Sequence, residues 1–240
     1  MTISLNGSVA LITGGSRGLG RALALSLARQ GCHVSVCARG EDDLEAVAVE
    51  ARETGADVLA VTADVGIPRD VERLAALTLE RFGDIDILVN NASTLGPTPL
   101  PHLADCPPDA LAEVFQINVV APLRLTQAVL GSMLLRRSGA VLNVSSDAAV
   151  TGYPGWGAYG ASKAALDALT RSFAEELQGT GVRVVSVDPG DMDTEMHRAA
   201  APDDDPASLG RPEAVADNMV RLLLAGIPEG VSRLEVSALP

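Results

Sequence analysis

Apolar positions along the chain fall into two alternating patterns. Short runs that are apolar at consecutive positions and rich in β-branched residues occur at 9–13, 34–38, 58–62, 85–89, 141–144 and 182–187, with a weaker run at 231–236. Strands covered on both faces have this composition. Between the runs, apolar residues recur every three or four positions. Leu19, Leu23 and Leu27 make one such stripe, and Leu166, Leu169, Phe173 and Leu177 make another. That spacing belongs to helices that bury one face. Strand and helix alternate from end to end, which predicts an α/β fold: a doubly wound parallel sheet of about seven strands, with helices on both faces in three layers and right-handed crossovers. No repeat or linker interrupts the pattern, so residues 1–240 read as one domain. Residues 191–212 depart from it. They contain APDDDPASLGRP, and Pro, Asp and Gly at this density predict a loop or broken helices. Tandem acids there read as a solvated surface, and the competing reading is a lid over a ligand site.

Composition narrows the partners. A chain of 240 residues that is 47% hydrophobic can build one sizeable core. No run of eighteen apolar residues appears, which argues against a membrane span, and the start, MTISLNG, lacks the basic and apolar regions of a secretory leader. Cys32, Cys37 and Cys106 are odd in number and lack metal-ligand spacing, so reduced thiols and a cytoplasmic location are expected. His33, His102 and His197 are scattered, and no metal site is expected. A formal net charge of −13 argues against nucleic acid. It also means that an anionic nucleotide needs local positive charge to bind.

The first strand-to-helix junction meets that need. TGGSRGLG follows the run at 9–13 and opens the helix carrying Leu19. Gly14, Gly18 and Gly20 permit a tight turn and let a phosphate approach bare backbone at a helix N-terminus, with Ser16, Arg17 and Leu19 between them. The spacing is G-x3-G-x-G and no Gly-Lys-Ser/Thr follows, so this is not a Walker loop. Its place between first strand and first helix points to a dinucleotide in a Rossmann-type sheet. The end of the second strand chooses the coenzyme. An enzyme using NAD commonly has an acid there to accept hydrogen bonds from the ribose, whereas this chain has Ala38 and Arg39. Arg17 and Arg39 together offer paired donors for a 2′-phosphate, so NADP(H) is expected over NAD(H). The competing reading makes Arg39 a surface residue paired with Glu41 or Asp42.

A second constellation carries proton chemistry. Lys163 is the only lysine among 18 basic residues, and Tyr159, one of two tyrosines, lies one helical turn before it. A phenol with an ordinary pKa near 10 is a weak base at neutral pH, and a nearby ammonium is expected to lower it into working range. Ser146 lies just past the run at 141–144, where its hydroxyl can hold a substrate oxygen on which charge develops. A packed tyrosine beside a snorkelling lysine is the structural alternative.

With these motifs in place, the chain resembles the short-chain dehydrogenase/reductase family, in its group of roughly 250-residue single-domain enzymes. The resemblance covers residues 5–194 and includes TGGSRGLG, Asp64-Val65, NNAS at 90–93, Asn118, Ser146, YGASK at 159–163 and DPG at 188–190. Twelve residues separate Ser146 from Tyr159 and three separate Tyr159 from Lys163, as in that family. The resemblance implies that Tyr159 is the general acid in reduction and the base in oxidation. It implies that Lys163 lowers the phenol pKa and binds the nicotinamide ribose, that Ser146 orients the carbonyl, and that Asn118 holds a water in a proton relay. Asp64 and Val65 would contact adenine, and Asn91, Ala92 and Ser93 would line the coenzyme cleft. Pro189, Gly190, Met192 and Thr194 would position the nicotinamide, with hydride transfer from its pro-S face. Two departures stand out. Ser93 replaces a frequent glycine, and the ending VSRLEVSALP lacks the family's frequent glycine-rich tail, which supports tetramers. A homodimer built by the helices bearing Asn118 and Tyr159 is therefore expected, with a homotetramer as the larger alternative.

The implied reaction is hydride transfer between NADP(H) and a carbonyl or secondary alcohol of a small molecule. Leu95, Tyr153, Trp156, Met192 and Met196 are candidate pocket walls, and an apolar wall suits a hydrophobic ketone or a 3-oxoacyl group. Asp191, Asp193 and Glu195 either disfavour anionic substrates or cap a helix. Three rivals remain at this stage: a 3-oxoacyl thioester reductase, a non-catalytic nucleotide sensor, and an epimerase or dehydratase. The last usually has a longer C-terminal substrate domain than the fifty or so residues after Gly190 allow.

Overall fold

The structure, a computed structural model, describes residues 5–236. The leader reading of residues 1–4 and the last four residues of the glycine-poor ending lie outside them. Seven strands form one parallel sheet: β1 (Val9–Thr13), β2 (His33–Ala38), β3 (Val58–Thr62), β4 (Ile87–Asn90), β5 (Gly139–Val144), β6 (Val182–Asp188) and β7 (Arg233–Glu235). Their order is β3-β2-β1-β4-β5-β6-β7. The order reverses between β1 and β4, and in open α/β sheets ligands bind beyond the strand ends at such a point.

Two apolar layers hold the sheet. On one face, Ala10 and Ile12 of β1 and Ala140 and Leu142 of β5 pack with helices α1 (Gly18–Arg29), α2 (Glu41–Arg52) and α8 (Pro212–Ala225). On the other, Leu11 and Val141 pack with α3 (Pro68–Phe82) and α5 (Ala121–Arg136), while α6 (Gly157–Glu176) lies against β6. Successive strand residues thus enter opposite layers, which explains why the strands read as continuous apolar runs. Ile85, expected to open β4, is fully buried but precedes the ladder, which starts at Ile87.

Helix α4 (Pro108–Phe115) runs into α5 through a π-type segment, Gln116–Val120, in which the Ala121 N–H reaches back to the Gln116 carbonyl. The cause is legible. Pro122 lacks the N–H that an α-helix would supply to the Asn118 carbonyl. The combined helix, Pro108–Arg136, is long and apolar enough to cross a membrane by length and composition. Here α5 packs on α3 and on β4 and β5.

Residues 191–212 form broken helices, as their composition predicts, and a bridge closes the segment. Met192 and Gly210 form a parallel bridge, and between them lie α7 (Glu195–Ala200) and a 3-10 turn, Pro206–Ser208. Thr194 caps α7 by accepting from the His197 N–H, while Asp204 bonds His197 and Asp205 caps the 3-10 turn. Asp203, Asp204 and Asp205 are all exposed, as a solvated surface predicts, and two of them also bond their neighbours.

Candidate active site

One cleft of about 780 Å³ opens over the carboxyl ends of the strands. Its lining includes Gly14, Ser16, Arg17, Gly18, Leu19, Arg39, Asp64, Val65, Asn91, Ala92, Ser93, Ser146, Tyr159, Lys163, Pro189, Gly190, Met192 and Thr194. Two sequence expectations fall elsewhere. Gly20 lies beneath the turn, where a Cβ would meet the Gly14 carbonyl oxygen at 2.2 Å. Its role is close packing, which leaves the turn's backbone bare. Asn118 is 1% exposed and sits behind the cleft.

The glycine-rich turn is braced from the side. Asn91 donates its amide to the carbonyls of Thr13 (2.9 Å) and Gly14 (3.2 Å), and the Thr13 hydroxyl accepts the backbone N–H groups of Asn91 and Ala92. Asn91 therefore shapes the cleft as well as lining it. Arg39 stands exposed at the end of β2, and no described residue pairs with it, Glu41 and Asp42 included. Arg17 does have a partner: it forms an exposed ion pair with Glu195 of α7, across the mouth.

The chemical end of the cleft is dry. Tyr159 and Lys163 are 8% and 2% exposed. Helix α6 approaches the turn after β5 so closely that a Cβ at Gly160 would meet the Ala148 carbonyl oxygen at 2.7 Å. This contact, which the sequence gives no way to foresee, brings Tyr159 to Ser146. The Lys163 ammonium donates to the Val144 carbonyl at 2.7 Å and lies 5.5 Å from the Tyr159 ring centre. Burial lowers the Lys163 pKa from 10.5 to about 8, and Asp167 partly offsets this.

The phenol corrects a sequence expectation. Burial raises its pKa above the ordinary value, Ser146 and Ser93 pull it down by hydrogen bonding, and the charges of Asp188 and Asp147 push it up. The neighbouring Lys163 ammonium does not reverse this balance in the free site. The physical reason is desolvation, which penalises phenolate more than the neighbouring groups favour it.

Ser146 is held too. Its hydroxyl donates to Asp147 Oδ1 at 3.0 Å and accepts from the Ala148 N–H, while Asp147 Oδ2 accepts from the Tyr153 hydroxyl at 2.6 Å. Tyr153 is thus a partner of Asp147 and does not line the cleft. Leu95, Trp156 and Met196 pack with Tyr159, Trp156 edge-on to its ring at 5.6 Å. Asn118 spends both side-chain groups on protein: its oxygen accepts from the Ser93 hydroxyl and Thr94 N–H, and its nitrogen donates to the Thr94 carbonyl and Ser162 hydroxyl. Any relay through Asn118 must then use its backbone carbonyl.

No group of three or more metal-ligating side chains gathers among the described residues. Cys32, Cys37 and Cys106 are free, and burial pushes the thiols of Cys32 and Cys37 up to about 12, where they are inert.

Comparison with known proteins gives a consistent result. The pattern that defines the family described as short chain dehydrogenase matches residues 8–205. A short chain dehydrogenase from Pseudocercospora fijiensis is 38% identical over 204 residues, covering 83% of this chain and 63% of the fungal protein. A 3-oxoacyl-[acyl-carrier-protein] reductase from Synechocystis is 37% identical over 194 residues, covering 80% and 77%. Among known structures, a single-residue variant of actinorhodin polyketide ketoreductase with NADPH superposes with a TM-score of 0.86 at 30% identity, covering 98% of this chain and 97% of the other. NAD+-bound xylitol dehydrogenase superposes with a TM-score of 0.84 at 28% identity, covering 97% and 98%.

Proposed function

From a chain that belongs to the short-chain dehydrogenase family, we propose an NADP(H)-dependent oxidoreductase that interconverts a small carbonyl compound and its secondary alcohol. The observation that carries this reading is the convergence of Ser146, Tyr159 and Lys163 at the dry end of a cleft whose other end is the glycine-rich turn. The residues fit the coenzyme. The turn presents bare backbone at the start of α1, and Asp64 and Val65 line the same cleft. Arg39, without a partner among the described residues, supplies charge for a 2′-phosphate in a protein of net charge −13. Bound there, the coenzyme supplies the hydride in reduction and accepts it in oxidation.

The chain's own residues do the rest. Tyr159 gives its phenolic proton to the carbonyl oxygen as charge develops there, so that carbonyl, hydride and proton sum to the alcohol. Its raised pKa suits an acid that stays protonated at neutral pH. In oxidation the same oxygen must be a base, and Lys163, ionised below about 8, supplies the compensating charge. Ser146 bonds the substrate oxygen once its hydroxyl turns from Asp147, and Asp147 is left with Tyr153 as its donor. The Asn118 carbonyl, freed by Pro122, holds the water that resupplies Lys163. Residues 191–212 cover the substrate. A cytoplasmic homodimer remains the proposed state.

The apolar wall of Leu95, Trp156 and Met196 beside Tyr159 favours a second reading within the same chemistry, reduction of a 3-oxoacyl thioester. NADPH oxidation measured across ketones, diketones, quinones, sugars and 3-oxoacyl thioesters separates the two. Steady consumption with at least one carbonyl compound is expected. No consumption with any of them, despite tight NADPH binding, would leave a nucleotide sensor instead.

A further inference from the structure

The last strand carries an arginine whose bonds run to the floor of the cleft. Arg233 Nη1 donates to Asp167 Oδ2 at 2.7 Å and to Ser145 Oγ at 3.1 Å. Its Nη2 donates to Asp188 Oδ2 at 2.8 Å and to the Ser146 carbonyl at 3.3 Å. The partners come from α6, from the end of β6 and from the end of β5. Each adjoins a residue of the reacting site. Asp167 lies one turn after Lys163, Ser145 precedes Ser146, and Asp188 precedes Pro189 and accepts the Gly190 N–H at 3.1 Å.

The side chains of Asp167 and Asp188 are only 4% and 8% exposed. A carboxylate so buried is costly without a partner, and the second Asp167 oxygen has none among the described residues. One planar guanidinium serving two carboxylates and a backbone carbonyl is a task that an ammonium performs poorly.

We propose that Arg233 is a positioning residue for the reaction: it ties the three segments bearing Ser146, Lys163 and the 189–194 turn into one floor, and it balances the carboxylates that face Lys163 and Tyr159. This rests on the reading of Tyr159 and Lys163 as the acid–base pair. Lys163 faces Asp167 on its own helix and the Val144 carbonyl from β5. Tyr159 faces Asp188 from β6, Asp147 from the turn after β5, and the hydroxyls of Ser146 and Ser93. Without Arg233, Asp167 would hold the Lys163 proton more tightly and Asp188 would further disfavour phenolate.

The lone lysine makes the test direct. Protein labelled with 13C-lysine gives one side-chain resonance, whose titration follows Lys163 without reference to activity. Its midpoint is expected near 8 in the wild type, and Arg233→Gln should raise it by about one unit. The double variant Arg233→Gln/Asp167→Asn, which removes both charges, should return it to the wild-type value or below. A midpoint unmoved by Arg233→Gln overturns the proposal. So does a rise that persists in the double variant, because loosened packing alone would produce that. If Arg233→Gln does not fold, Arg233→Gln/Asp188→Asn still leaves Asp167 unbalanced, and the same rise is required of it. In the pH profile of alcohol oxidation, Arg233→Gln should shift the acidic limb upward while the coenzyme KM stays within about twofold. If the resonance moves as stated but the profile does not, the fault lies with the acid–base reading of Tyr159, not with the charge balance.

Discussion

The floor and the mouth of the cleft are built on opposite principles. At the floor, Tyr159, Lys163, Asp167, Asp188 and Arg233 are mostly buried and interlocked, so each charge acts through a medium that screens it little. At the mouth, Arg17 and Glu195 pair with side chains 65% and 61% exposed, and Arg39 has no partner among the described residues. Charges there are screened by water and salt. The difference teaches where each kind of selectivity resides. On the proposed reading, proton transfer would depend on the floor, and coenzyme choice would depend on exposed side chains whose exchange leaves the core undisturbed.

Breaking the floor should have the largest effect. Tyr159→Phe keeps the ring that packs with Leu95 and Trp156 and removes only the hydroxyl, so kcat should fall by about 10³-fold or more while NADPH binding, read by fluorescence, stays nearly intact. Lys163→Arg comes next. The guanidinium is larger and cannot shed its proton, so both kcat and coenzyme affinity should fall, by about 10²-fold in kcat/KM. A variant within a fewfold of wild type would show that the buried ammonium is not specifically required.

At the mouth the effects should shrink. Arg39→Ala should raise the KM for NADPH by about tenfold, the worth of an exposed charge-assisted phosphate contact, and leave the KM for NADH nearly unchanged. Equal losses for both coenzymes would remove Arg39 from 2′-phosphate recognition. Glu195→Gln should be the mildest. An exposed ion pair contributes about 0–1 kcal/mol, so melting temperature and kcat should change little, and freeing Arg17 should slightly tighten NADPH binding.

The same contrast explains what was legible in the sequence. The strand run at 9–13 coincides with the observed β1 because burial on both faces leaves a continuous apolar stretch. The spacing of Tyr159 and Lys163 was legible because one helical turn places both on one face. The rest of the floor was not. Arg233 meets Ser145 from 88 residues away, and the weak strand run that carries it gave no sign of its partners. Nothing local marks Asp147 as the carboxylate that accepts a hydrogen bond from the Ser146 hydroxyl. The π-type segment at Asn118 had one signal, Pro122 four residues on, whose meaning depends on the helix continuing through it. At the mouth, composition indicated the loop or broken helices of 191–212 but not the bridge from Met192 to Gly210, which joins positions eighteen apart.

Lys163 is where the two levels meet, because it is a single residue type in the sequence and a single buried charge in the floor. Its pKa in the fold, about 8, lies below its ordinary 10.5, so the unfolded chain binds the extra proton between those values and stability gained from this group rises with pH across that window. The most direct test of the account is to titrate the one lysine resonance of the free protein beside kcat/KM for NADPH, which reports groups on the free enzyme. Reduction should decline on the alkaline side with a midpoint near 8, and the Lys163 resonance should titrate at that same midpoint. A lysine that titrates at its ordinary 10.5, with no kinetic counterpart near 8, would contradict it.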